Sequence, residues 1–135
     1  MTLTVRVISP DKTILDSPAE EVILPSITGQ IGILTSHAPL ITALDIGVMR
    51  FRQEKAWSAI ALMGGFAEIE NNEVTILVNA AEIGSAIDAE AARSELAEAE
   101  EHLKNIKEDD RQGKIQADQA MRRARARLQA TTLAP

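Results

Sequence analysis

Cysteine is absent from the 135-residue chain, which excludes a disulfide framework and a thiolate metal site and permits, without establishing, a reducing compartment. Aromatic residues amount to 2%, namely Phe51, Trp57 and Phe66, so a core has to be aliphatic. So few rings cannot stack the bases of a single-stranded nucleic acid, and a net charge of −6 disfavours any polyanion as the main partner, so no nucleic acid is expected. The longest uncharged, largely apolar stretch, residues 56–67, is too short to cross a bilayer. The N-terminal Met-Thr-Leu-Thr-Val-Arg alternates and lacks the apolar centre of a signal peptide. The expectation is a soluble chain, able to sit on a membrane complex.

Reactive groups are equally sparse. His37 and His102 are the only imidazoles, and neither has a second histidine at the i+4 spacing of a helical metal site. His102 reads as a solvated helix position. Ser36-His37 suggests a nucleophile and its base, yet adjacent residues on an extended chain point apart, and no Gly-x-Ser-x-Gly elbow surrounds the serine. Met63-Gly64-Gly65-Phe66 is too short for a phosphate-binding loop and has no lysine, so it reads as a tight connection between strands. No catalytic residue, metal or cofactor is expected.

What the chain does have is a change of pattern at Gly84-Ser85-Ala86. Before it, Leu3, Val5 and Val7 alternate with Thr4, Arg6 and Ile8, the period of a half-buried strand, and Ser9-Pro10-Asp11-Lys12 supplies a turn. Short apolar runs follow at 14–15, 21–24 (ended by Pro25), 31–34, 40–44, 47–53, 56–63, 66–70 and 74–78, with Asn71-Asn72 as a two-residue hairpin turn. Turns this frequent predict an all-β sandwich, a flattened barrel of about ten strands, over residues 1–84.

Beyond the change, Asp88 reads as a helix N-cap with Glu90 in the first turn. Ala92, Leu96, Ala99, Leu103 and Ile106 then recur at helical spacing, and Ala117, Met121, Ala124 and Leu128 repeat it. Residues 107–114, charged and holding Gly113, read as the turn between them. The prediction for residues 85–135 is a C-terminal antiparallel α-helical hairpin whose seam is poor in large side chains and therefore thinly docked.

Two stretches carry the functional signal. Residues 28–40 hold two of the seven glycines, one histidine and a proline between apolar runs. Gly29 and Gly32 are expected to take backbone angles closed to other residues, and Pro39 biases Ala38 away from helix. The second stretch is Arg122, Arg123, Arg125 and Arg127, with no acid after Asp118. Interaction with the negative end of a helix is worth only about 0.3 to 1 kcal/mol per arginine. The cluster cannot all lie on a seam, so it forms a basic arc suited to an acidic partner surface or to phosphates.

Ser9-Pro10-Asp11, Gly29-Gln30-Ile31-Gly32-Ile33-Leu34, His37-Ala38-Pro39-Leu40, Gly47-Val48 and Gly64-Gly65-Phe66, in this order and spacing, resemble the epsilon subunit of F-type ATP synthases. The resemblance covers the whole chain. It implies a β-sandwich and helical hairpin at the foot of the central stalk, binding the gamma subunit and the c-ring, turning with them and restraining ATP hydrolysis. It implies that Gln30 and His37 face the polar loops of the c-ring, with Gln30 where glutamate is common. It also implies that the second helix can extend into the catalytic head, where Arg122, Arg123, Arg125 and Arg127 meet an acidic motif of a beta subunit.

Many bacterial members bind regulatory ATP through Ile/Leu-Asp-x-x-Arg-Ala. Here the segment reads Ile87-Asp88-Ala89-Glu90-Ala91-Ala92, with Ala91 in place of the arginine. Arg93 is about 200° further around the helix and is no substitute. The resemblance thus implies weak or absent ATP binding and the photosynthetic branch, with a peripheral place on the cytoplasmic or stromal face of a membrane, the thylakoid above all. An ATP-sensing module whose hairpin closes on nucleotide is the alternative.

Overall fold

The alternation at the N-terminus becomes β1 (Leu3–Ile8), whose Leu3, Val5 and Val7 are fully buried in the computed structural model, which describes residues 2–132. There follow β2 (Thr13–Ala19), β3 (Glu21–Ser26), β4 (Gly29–Ile33), β5 (Leu40–Gln53), β6 (Ala56–Glu70), β7 (Glu73–Val78) and β8 (Ala81–Ile83). A short 3-10 turn (Gly84–Ala86) leads into α1 (Ala89–Lys104) and α2 (Arg111–Ala130).

The strands run in the order β2-β1-β7-β6-β5-β3-β4, with β8 added to β6, and the sheet is not closed. Only β1 and β7 pair in parallel among the described residues. β5 and β6 are 14 and 15 residues long and pair along almost their whole length, while β6 changes its other neighbour midway and β5 keeps β3 across a shift in register. The second half of β6 pairs with β7 and its first half with β8, while Arg50–Arg52 of β5 face β3. The sheet thereby folds over into two layers. Between them lies an aliphatic core that includes Leu3, Val5, Leu24, Ile33, Met49, Ile60, Leu62, Ile69 and Ile76.

The strands number eight and not about ten: 40–44 with 47–53 and 56–63 with 66–70 are single strands, and β8 is one that the apolar runs do not include. Gly64-Gly65 is a bend within β6, with φ of 83° and 152°, and Gly65 stays paired to both Leu44 and Val78. A side chain at Gly65 would strike the Leu77 carbonyl. Pro25 does not end β3 but sits inside it, where the register against β5 shifts between Ile23 and Ser26, so its missing N–H costs no regular ladder bond. Asn71-Asn72 is the expected turn, with φ of 51° and 62°.

Both helices start on aspartate caps. Asp88 Oδ1 accepts from the Glu90 and Ala91 amides at 3.0 and 3.2 Å. Asp110 Oδ1 accepts from the Gly113 amide at 2.9 Å, so 111–114 is the first turn of α2 rather than part of a connection. A side chain at Gly113 would collide with that capping carboxylate, which is why a glycine stands inside the helix.

The expected seam forms. Ala92, Leu96, Ala99 and Leu103 of α1, Ile106 just beyond its end, and Ala117, Met121, Ala124 and Leu128 of α2 are buried or half-buried. A second buried face of α2, Ala126 and Ala130, lies on the outside of the sandwich against Val48, Ala59 and Ala61, beside Ile87 and Ala92. β6 thus alternates Ile60 and Leu62 inward with Ala59 and Ala61 outward, and the small outward residues let the helix approach closely. The approach is closest at Gly84, where an added methyl would strike the Ala130 carbonyl and crowd that of Ala59. Gly84→Ala is expected to lift the last turn of α2 at a cost of about 1 to 3 kcal/mol. Hydrogen exchange should then speed up across α2 and stay unchanged in β6 and β7; an unchanged α2 would show that the close approach is not limiting.

Candidate functional site

Residues 28–40 form the outer strand of the sheet and the loop that follows it. At the β3–β4 turn the Ile27 amide donates to the Ala43 carbonyl at 3.2 Å, and the Ser26 hydroxyl lies 3.1 Å from that of Thr28 and 3.0 Å from that of Thr42. Ser26 is the buried polar residue here, and this hydroxyl chain ties the turn to β5. Gly29 takes a φ of 123°, as expected of it. Gly32 does not: its φ is not positive, and a methyl added there would meet open space. It leaves a bare stretch of backbone on β4, which is paired on one side only.

After β4 the chain turns through Ser36, with φ of 68°, whose amide donates to Asn72 Oδ1 at 2.6 Å. The hairpin turn between β6 and β7 therefore holds this loop in place, a role for Asn72 that its turn-forming character alone did not signal. His37 is half-buried and places Nδ1 2.6 Å from the Ala38 carbonyl, which requires the proton on Nδ1 and leaves Nε2 as the free ring nitrogen. Gln30 is exposed near the other end of β4. The two residues occupy one edge of the sandwich without bonding to each other among the described contacts.

A second surface lies on the outer face of the layer that the helices leave bare. The registers align Ile8, Leu77, Phe66 and Ala43 as one row across β1, β7, β6 and β5. Phe66 and Leu77 are 60% and 52% exposed, and Ile41, on the adjoining row, is 73% exposed. Arg6, Thr75 and Glu68 complete that adjoining row, so the apolar stripe has a polar border. Glu68 and Glu70 lie exposed, as expected of a solvated strand face. Phe66, at period two from both, could have been read as sharing their outward side.

The arginine arc is divided. Arg122 reaches Asp45 of β5 at 2.5 Å, and this contact, helped by the Ile46 amide and opposed by partial burial, holds the Asp45 carboxyl below its ordinary range. Arg127 donates to both oxygens of Glu82 on β8, at 3.1 and 3.0 Å, and also pairs with Glu95 of α1. The carboxylates of Glu82, then Glu95, raise the guanidinium pKa further. Arg123 and Arg125 are exposed, with no ion pair among the described residues. A fifth arginine, not singled out in the sequence, completes the attachment: Arg50 of β5 donates to the carbonyls of Gln129 and Thr132 at 3.3 and 3.4 Å, capping α2 from the sheet. Burial lowers the Arg50 pKa.

At the start of α1, Ala91 is exposed and offers no cation, and Arg93 turns back to Glu90 at 2.6 Å. The open cavity of about 500 Å³ between the helices has Arg123 and Arg127 on its wall, but also Glu95 and Glu98. An incoming phosphate would meet two carboxylates there. His102 is exposed in the last turn of α1. No group of three metal-ligating side chains occurs among the described residues, and no described helix is long and apolar enough to cross a membrane.

Comparison with known proteins gives the arrangement a family. Residues 2–84 match the beta-sandwich domain of the ATP synthase delta/epsilon chain, and residues 85–132 match its long alpha-helix domain. The chain is 68% identical over 130 residues to the ATP synthase epsilon chain of Synechococcus elongatus, covering 96% of this chain and 95% of that one. It is 66% identical over 131 residues to that of Thermosynechococcus vestitus, with coverage of 96% and 95%. In fold it is similar to a chain of the Euglena gracilis mitochondrial ATP synthase, in a structure of OSCP, F1 and c-ring, with a TM-score of 0.81 at 22% identity over 96% of this chain and 81% of that one. A chain of the Tetrahymena thermophila mitochondrial ATP synthase central stalk and c-ring matches with a TM-score of 0.62 at 15% identity over 98% of each. Matched by both family models and by cyanobacterial relatives along nearly its full length, the chain belongs to the ATP synthase epsilon chains, of the cyanobacterial type.

Proposed function

We propose that this chain is a non-catalytic rotor subunit of the central stalk, coupling proton translocation to ATP synthesis and restraining ATP hydrolysis through its C-terminal helices. The observation that carries the reading is that its shaped features are docking surfaces: an open strand edge, an exposed apolar row, and a helix pair attached through ion pairs. A gamma subunit is the partner suited to the row of Ile8, Leu77, Phe66 and Ala43, because a long-lived stalk contact needs apolar area to bury. The edge bearing Gln30 and His37 suits the polar loops of a c-ring. Gln30 is exposed and offers neutral hydrogen bonds, and the His37 loop is pinned by Asn72. Arg122, Arg123, Arg125 and Arg127 serve the head, against an acidic surface of a beta subunit beside gamma. The chain is peripheral to the membrane through this complex, on the cytoplasmic or stromal face, in keeping with the cyanobacterial relatives and a thylakoid location.

The nucleotide-sensing alternative is weaker, because Ala91 stands where a phosphate-binding arginine is needed and Arg127 is already neutralised by Glu82 and Glu95. In a calorimetric titration the isolated chain is expected to show no saturable ATP binding; a dissociation constant on the order of micromolar, about −8 kcal/mol, would favour the sensing module instead. Replacing Phe66 and Leu77 together by glutamate is expected to weaken binding to isolated gamma at least about tenfold, since each side chain contributes roughly 1.5 to 3 kcal/mol on burial. Undiminished affinity would place gamma elsewhere. Truncation after Ser85 should leave assembly intact and raise ATP hydrolysis by the complex, whereas equal hydrolysis with and without the helices would remove their inhibitory role.

A further inference from the structure

Arg127 owes its two partners to its angle on α2. Successive helical residues are about 100° apart, so Arg127 lies between Ala126, which faces the sheet, and Ala124, which faces α1. From that corner its guanidinium spans Glu82 on the sandwich and Glu95 on α1. Among the described ion pairs it is the one side chain that ties α2 to both the sandwich and α1. Arg122, one and a half turns earlier, holds α2 to Asp45. Apolar contact adds little to these attachments, because the buried residues of α2 are Ala117, Ala124, Ala126 and Ala130.

We propose that Glu82, Glu95 and Asp45 act as internal competitors for the arginines of α2, occupying in the compact state the guanidinium groups that an acidic surface of the catalytic head takes up in the extended state. The inference rests on the inhibitory reading above and adds a division of labour. Arg123 and Arg125 are exposed and can meet the head first, whereas Arg122 and Arg127 become available only when α2 leaves the sandwich. A guanidinium cannot make the same fork to two carboxylate surfaces at once, so the internal and external contacts exclude each other. The ratio of compact to extended molecules is then set by charges on the sandwich and α1 as well as by the head. It follows that removing an internal acid strengthens inhibition, while removing the arginine does not.

The test compares the full chain carrying Glu82→Gln and Glu95→Gln with Arg127→Gln, each isolated and reconstituted into the ATP synthase complex. In the isolated chain both variants are expected to speed hydrogen exchange of α2 about 3- to 10-fold, the range of partly exposed ion pairs. Amides of β6 and β7 are the control and should not change. In the complex the double glutamine variant should hydrolyse ATP more slowly than wild type, and Arg127→Gln should not. Exchange of α2 unaltered in the double variant overturns the proposal regardless of the assay. So does a loosened α2 with hydrolysis undiminished. The truncation after Ser85 separates the two ideas: if it raises hydrolysis while the double variant has no effect, the helices inhibit but the internal acids do not compete.

Discussion

The antiparallel ladder between β5 and β6 is the interaction on which everything else in the chain depends. Its inward residues, Met49, Ile60, Leu62 and Ile69 among them, contribute to the core of both layers. Its outward residues serve two different purposes on either side of the Gly64-Gly65 bend. On one side Val48, Ala59 and Ala61 form the small-residue floor on which α2 lies. On the other Ala43 and Phe66 present apolar surface to solvent. One ladder thereby fixes the relative positions of the helical dock and the exposed row, and neither can shift without disturbing the other.

The two halves of the molecule are held by different physics. The sandwich is closed by large aliphatic side chains at or near zero exposure, each worth on the order of 1.5 to 3 kcal/mol. The helices are closed by alanines, half-buried leucines and a few partly exposed ion pairs, which contribute far less and weaken with salt. A rigid platform carrying a loosely attached arm is in keeping with the function proposed above.

Much of this was legible in the amino-acid sequence, and the exceptions have physical reasons. The period of β1, the Asn71-Asn72 turn, the Asp88 cap and the seam residues from Ala92 to Leu128 follow local rules, and local rules sufficed for them. Gly64-Gly65 and Gly113 look like chain breaks for the same local reasons, but cross-strand pairing retains the first pair within β6 and the Asp110 cap retains the second within α2. Gly32 looks conformational and is not, because an exposed edge tolerates a glycine without requiring one. The ion pairs of Arg122 and Arg127 join residues 77 and 45 positions apart or, with Glu95, 32, a separation at which sequence carries no pairing signal. Gln30 and His37 acquire meaning only through the family resemblance, since nothing in their own chemistry distinguishes them.

α1 packs on α2, and α2 packs on the sandwich, so the two helices are joined to the body in series and not side by side. Whatever detaches α2 also strips α1 of its main support among the described residues. A lone 16-residue helix is marginal in water, so α1 must unravel, travel with α2, or find cover on another subunit. Beyond its first turn, where Ala92 adjoins the sandwich and residues 84–88 tether it, the outer helix reports the state of the inner one, and a ligand or mutation acting on that part of α1 reaches the sandwich by way of α2.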